Sequence, residues 1–247
     1  NERSVAPSGP DAMRLRAVER TLGDGQMTGG FPFDPTYGYT RERLLGVTAP
    51  PAPPDFDAFW AATYAAARAV PLRLERRDVP SPSAWHDVSV LRFRTLDDTA
   101  VGAWLVTPRG KPAREGAVVS HGYGGREQPD VEKREAAMLF PCAPGFHLSA
   151  APGLPSVAQD HVLHGIASRE TYLIRSCVAS LWSAAWALCE LYPALAGRLR
   201  YLGGSFGGGL GALALPWEPC YARAFLDVPT FGHHPIRLAC RAGHTIR

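Results

Sequence analysis

The stretch that most restricts how this 247-residue chain can fold is Gly203-Gly204-Ser205-Phe206-Gly207. It reads G-x-S-x-G. The short run Leu199-Arg200-Tyr201-Leu202 precedes it, and Gly208-Gly209-Leu210-Gly211-Ala212-Leu213-Ala214-Leu215 follows. The pattern predicts strand, sharp turn, helix. A serine sits at the tip with its hydroxyl exposed, and the next backbone N–H is aimed where that hydroxyl would react. Glycines flank the serine because the turn brings strand and helix too close together for side chains. The plainer reading is a glycine-rich turn that lets a helix pack tightly on a strand.

A second signal lies upstream at Ser120-His121-Gly122-Tyr123-Gly124-Gly125, directly after the apolar run Gly116-Ala117-Val118-Val119, which predicts a buried strand. Alone it is an ordinary glycine turn. A flexible HG loop after a central strand is, however, where an α/β-hydrolase supplies its other oxyanion donor. The two motifs in this order predict serine-hydrolase ancestry.

Length and a 46% hydrophobic content suit one substantial core. No run of 18 apolar residues predicts a transmembrane span, and the polar start Asn1-Glu2-Arg3-Ser4 leads into no apolar signal segment. The net charge of +3 comes from interspersed basic and acidic residues, so nucleic acid is not an expected partner. Five cysteines, Cys142, Cys177, Cys189, Cys220 and Cys240, are widely spaced with no C-x-x-C. They predict neither zinc nor a disulfide framework, and a reducing, cytoplasmic setting is the expectation. No cofactor is implied.

Residues 1–54 are rich in Pro, Gly and Asp and are expected to be an irregular segment packed on the body. Pro51-Ala52-Pro53-Pro54 ends it, and a helix is predicted from Asp55 to about Arg68. Strands follow at Leu72–Val79, Trp85–Thr95 and Ala100–Thr107, the last two joined by the turn Leu96-Asp97-Asp98-Thr99. Val118–His121 is the next strand and Glu132–Leu139 a short helix. Residues 141–160 read as loop. Glu170–Leu191 is the longest helix, with Trp182, Trp186 and Cys189 on one face as core residues. Leu199–Leu202 and Tyr221–Val228 complete the strands. Alternating elements predict an α/β fold with a mostly parallel sheet and helices on both faces, its core at residues 55–236 and a tail at 237–247.

Taken in order, these residues resemble the acetyl xylan esterase and cephalosporin C deacetylase family of α/β-hydrolases. Pro53-Pro54-Asp55-Phe56-Asp57-Ala58-Phe59-Trp60 is similar to its P-x-D-F-x-x-F-W helix start. Val101–Arg109 is similar to the strand before the catalytic core, and His121-Gly122-Tyr123-Gly124-Gly125 to its H-G-Y loop. His164-Gly165-Ile166 with Tyr172 and Arg175 resembles the lead into its long helix. Gly203–Leu210 resembles its elbow, and Asp227-Val228-Pro229 its D-V-P strand end. The resemblance implies deacetylation of small or sugar-borne acetyl esters through a covalent acyl-serine, with homo-oligomers common. By motif, Ser205 would be the nucleophile, and the backbone N–H groups of Tyr123 and Phe206 the oxyanion hole. Phe206 replaces the usual glutamine, and Pro144-Gly145 stands where the family has an Arg-Gly turn.

In this fold the triad order is serine, acid, histidine. Only 42 residues follow Ser205, and the family pattern fades after Arg237, so the family's acid and histidine segments are expected to be missing and the fold C-terminally incomplete. Asp227, His233, His234 and His244 are the local candidates for acid and base, each also readable as a loop or tail residue. Two rival readings remain. A hydrolase-like chain without its last strands would be a non-catalytic binding module or fragment. Gly207-x-Gly209-x-x-Ala212 with Asp227 also fits a dinucleotide-binding fingerprint.

Overall fold

The computed structural model describes residue 36, residues 38–131 and residues 135–232. The chain divides into two units, 1–50 and 51–247, at the proline run marked in the sequence. In the first unit a one-turn helix, α1 (Arg41–Leu45), interrupts what was expected to be irregular chain. Thr40 caps it by accepting the Arg43 N–H at 3.3 Å, which satisfies one of the free donors of the first turn.

The second unit opens with α2 (Phe56–Ala69), which buries Trp60, Thr63 and Ala67 along one stripe. Strands β1 (Glu75–Val79), β2 (His86–Arg94) and β3 (Ala100–Pro108) form an antiparallel meander. Then come β4 (Glu115–Ser120), β5 (Ala136–Pro141), the short α3 (Ala158–His161) and the long α4 (Leu173–Leu191). Finally β6 (Leu199–Gly204) leads into α5 (Phe206–Ala214), followed by β7 (Tyr221–Asp227). The sheet order is β1-β2-β3-β5-β4-β6-β7. Strands β5, β4, β6 and β7 are mutually parallel, and β3 is antiparallel to both β2 and β5. Counting β2, five of the seven strands therefore run one way.

One predicted element changes type. Residues 136–139, expected in a helix, lie in β5. Ala, Met and Leu favour helix locally, but β5 sits between β3 and β4 with every residue buried, and a doubly covered strand reads as a continuous apolar run. Tertiary burial overrides propensity here.

The main core joins α2, α4 and α5 to one face through Leu91, Phe93, Leu105, Val118, Leu139 and Tyr201. The alternate residues Val88, Trp104, Val106, Met138 and Phe140 form a smaller cluster on the other face, with Leu148 of the one-turn helix His147–Ser149 packed against it.

Helix α4 is buried nearly all round, as expected of a helix wedged between a sheet and two other helices. Trp182 is fully buried, donates its Nε1–H to Ala214 O at 2.9 Å and meets Trp60 and Tyr64 edge-on. It is a core residue, as its helical spacing predicts.

Candidate active site

The sheet delivers β6 straight into the predicted turn. Ser205 follows the strand with φ 51° and ψ −114°, a backbone that an L-residue adopts only when the surroundings enforce it. Three hydrogen bonds do so. Its N–H donates to Asp227 O at 2.9 Å, and its carbonyl accepts from Gly209 N and Thr230 N, each at 3.0 Å. The segment after β7 thus clamps the backbone of the serine.

The glycines are required where the motif places them. A Cβ on Gly203 would lie 2.6 Å from Gly207 O, and one on Gly207 would lie 2.8 Å from Ser120 Oγ and 2.9 Å from His121 O. The elbow and the HG loop are therefore pressed together. A Cβ on Gly122 would lie 3.7 Å from the Cβ of Ser205.

His121 shapes that loop rather than reacting. Its Nε2 accepts the Ala143 N–H at 3.0 Å, so Nδ1 carries the proton and donates it to Gly122 O at 2.7 Å. The neutral ring bridges the ends of β4 and β5. Burial pushes its pKa down to about 4, opposed in part by the Gly122 hydrogen bond and helped by the nearby Arg126 charge.

Both predicted oxyanion donors belong to residues whose side chains interlock. The Phe206 ring is fully buried and stacks on Tyr123 with centroids 4.0 Å apart and planes at 19°. His161 meets both rings edge-on at 5.7 Å, and Phe146 and Phe231 extend the cluster. Phenylalanine in place of glutamine is thereby explained: this position faces rings, not water. Phe206 also opens α5, and the first N–H groups of a helix have no intrahelical acceptor. Those amides and the positive end of the helix dipole suit a developing oxyanion beside Ser205.

Phe146 lies in the stretch 141–160 expected as loop, and His161 ends the short α3 just beyond it. The histidine donates Nε2–H to Pro144 O at 2.8 Å, and burial lowers its pKa. Pro144-Gly145 takes the place of the family's Arg-Gly turn, and Ser149 holds it: Ser149 O accepts the Gly145 N–H at 3.0 Å, while its hydroxyl donates to Cys142 O at 2.7 Å. The sequence signal, aromatic and imidazole side chains among Pro and Gly, does not reveal their common target.

Of the acid and base candidates, only Asp227 falls among the described residues. Asp227 is brought beside Ser205, but through its carbonyl, and its exposed carboxylate holds no partner among the described residues. His233, His234 and His244 lie outside the described residues. Among the described residues no side chain hydrogen-bonds the Ser205 hydroxyl. The dinucleotide reading fails on space. Gly207 and Gly209 are buried within α5, with Ser120 and His121 packed against Gly207 and Thr230 and Phe231 against Gly209, where the fingerprint needs an open approach to the backbone.

A family model described as acetyl xylan esterase (AXE1) matches residues 47–238. Acetyl xylan esterase 1 from Thermoanaerobacterium sp. JW/SL YS485 superposes with a TM-score of 0.69 at 18% identity, over 77% of this chain and 63% of that one. The acetyl xylan esterase from Paenibacillus sp. R4 superposes with a TM-score of 0.66 at 21% identity, over 79% and 66%. At such identities the likeness establishes the fold, an α/β-hydrolase. The chain spans about two thirds of the length of either structure. No curated protein matches the sequence.

Proposed function

The chain belongs to the acetyl xylan esterase family, and from that premise we propose that the protein is a serine esterase that removes acetyl groups from sugars or small molecules. The observation that carries the reading is Ser205, held at φ 51° at the tip of a strand–helix turn with the Gly122 backbone packed against it. In the proposed reaction Ser205 Oγ attacks the acetyl carbonyl. The Tyr123 and Phe206 amides receive the oxyanion, an effect worth about 3 kcal/mol per donor. The alcohol leaves, and water then hydrolyses the acetyl-serine. A base must take the serine proton, because a hydroxyl is a weak nucleophile without one. His233, His234 and His244 are the candidate bases and Asp227 the candidate acid.

A second reading, a non-catalytic hydrolase-like module, is favoured by two observations. Ser205 has no base among the described residues. Strand β7, the last in the described sheet, exposes 64% of Phe225. Fluorophosphonate labelling of the purified chain, followed by intact mass with Ser205→Ala as control, separates the two. Stoichiometric labelling lost in the variant is the result expected of an esterase. A folded chain that takes no label is a module with an elbow and no working triad.

A further inference from the structure

Outside the elbow, two thiols converge where nothing in the proposed chemistry uses them. Cys189 lies on the last turns of α4, three residues after Trp186 and hence on the same helix face. Cys220 lies in the turn that starts β7. Glu218 joins the two places: its carboxylate accepts Trp186 Nε1–H at 2.5 Å and the Cys220 N–H at 2.9 Å. This bridge sets the Cys189 face of α4 against the Cys220 turn and brings the two thiols near enough for each to influence the other's ionisation. Both cysteines are partly exposed, unlike the wholly buried Cys142 and Cys177.

We propose that Cys189 and Cys220 form a reversible disulfide, made by exchange with a small-molecule disulfide such as oxidised glutathione. One cysteine loses its proton to solvent, and its thiolate attacks the glutathione S–S bond, releasing one glutathione thiolate. The second cysteine then loses its proton and attacks the mixed disulfide, releasing the other. Two electrons pass from the pair to glutathione, which leaves as two thiols. Burial raises both thiol pKa values, the Glu218 carboxylate raises both further, and the neighbouring thiol partly offsets the rise at Cys189 while adding to it at Cys220. With both thiols raised, the exchange is slow at neutral pH.

The consequence is set by what the bridge would enclose. Residues 189–220 contain β6, Ser205 and the whole of α5. The bond would staple the end of α4 to the start of β7 across the segment that bears the nucleophile. It would stabilise the fold mainly by restricting the unfolded chain.

The test is to incubate the purified full chain with oxidised glutathione, alkylate the remaining thiols, and read intact mass and a non-reducing peptide map. The expected result is loss of two hydrogens, a cross-linked Cys189–Cys220 peptide, and a melting temperature raised by about 5–10 °C that a reductant reverses. Cys189→Ser and Cys220→Ser should each carry a glutathione adduct on the surviving cysteine instead. The proposal is overturned if wild-type protein keeps both cysteines alkylated, stops at glutathione adducts, or cross-links either one to Cys240. The wild-type map decides even where a single variant fails to fold.

Discussion

Protonating His121 should unfasten the loop that carries the Tyr123 amide, and the cost can be worked from the structure. The ring is only 3% exposed, with Nε2 accepting from Ala143 N and Nδ1 donating to Gly122 O. A second ring proton would point a donor at a donor. The folded pKa is pushed down to about 4 from an ordinary value of 6.5. Because the folded value is the lower one, the unfolded chain binds the proton first. The stability from the neutral ring is whole above pH 6.5 and is lost as pH falls from 6.5 towards 4. At 1.36 kcal/mol per unit, the difference amounts to about 3 kcal/mol, a sizeable part of a typical domain's stability. His161, also lowered by burial, adds to the same trend, so the decisive quantity is a difference between proteins. Urea unfolding would be measured across this range for wild type and for His121→Gln, which keeps a side-chain acceptor but does not titrate. Wild type should lose about 3 kcal/mol more than the variant on acidification. Parallel curves, or an NMR titration midpoint of the folded His121 ring near its ordinary value, would refute the reasoning.

Phe206→Ala deletes a fully buried ring and its stack on Tyr123, and should cost about 3–5 kcal/mol in denaturant unfolding. A cost under about 1 kcal/mol would mean that the ring cluster does not lock the two loops together. Gly207→Ala drives a methyl group into Ser120 Oγ and His121 O; it should destabilise by about 1–3 kcal/mol and, in labelling-competent protein, slow fluorophosphonate capture at Ser205. Undisturbed labelling would show that the elbow and HG loop can part without consequence. Glu218→Ala strands the Tyr64 hydroxyl, the Trp186 indole N–H and the Cys220 N–H, and calorimetry should show a loss of about 3 kcal/mol or more. A neutral result would mean that water replaces the carboxylate.

The parts of the site legible in the sequence are those whose chemistry is local. The elbow is written in five consecutive residues because the turn's own geometry excludes side chains at Gly203 and Gly207. The HG loop is similarly compact. Trp182 was placed in the core by helical spacing alone, and Asp55 marked the start of α2. What escaped depends on partners far along the chain. Helix-favouring residues 136–139 became β5 because the centre of the sheet demanded an apolar strand there. His161 and Phe146 joined the Phe206 cluster although neither lies near a motif.

The serine at the turn and the compact HG loop were determined by the sequence itself, since each rests on neighbours within a few residues, and the family by several such short motifs in order. Tertiary structure decided which backbone groups hold that serine, why phenylalanine suits position 206, and that His121 is a neutral strut. It also decided that Asp227 meets Ser205 through a carbonyl rather than a carboxylate. Such contacts join residues brought together only when the sheet assembles, and no local pattern encodes the pairing of a donor with an acceptor 22 residues away, as between Ala143 and His121.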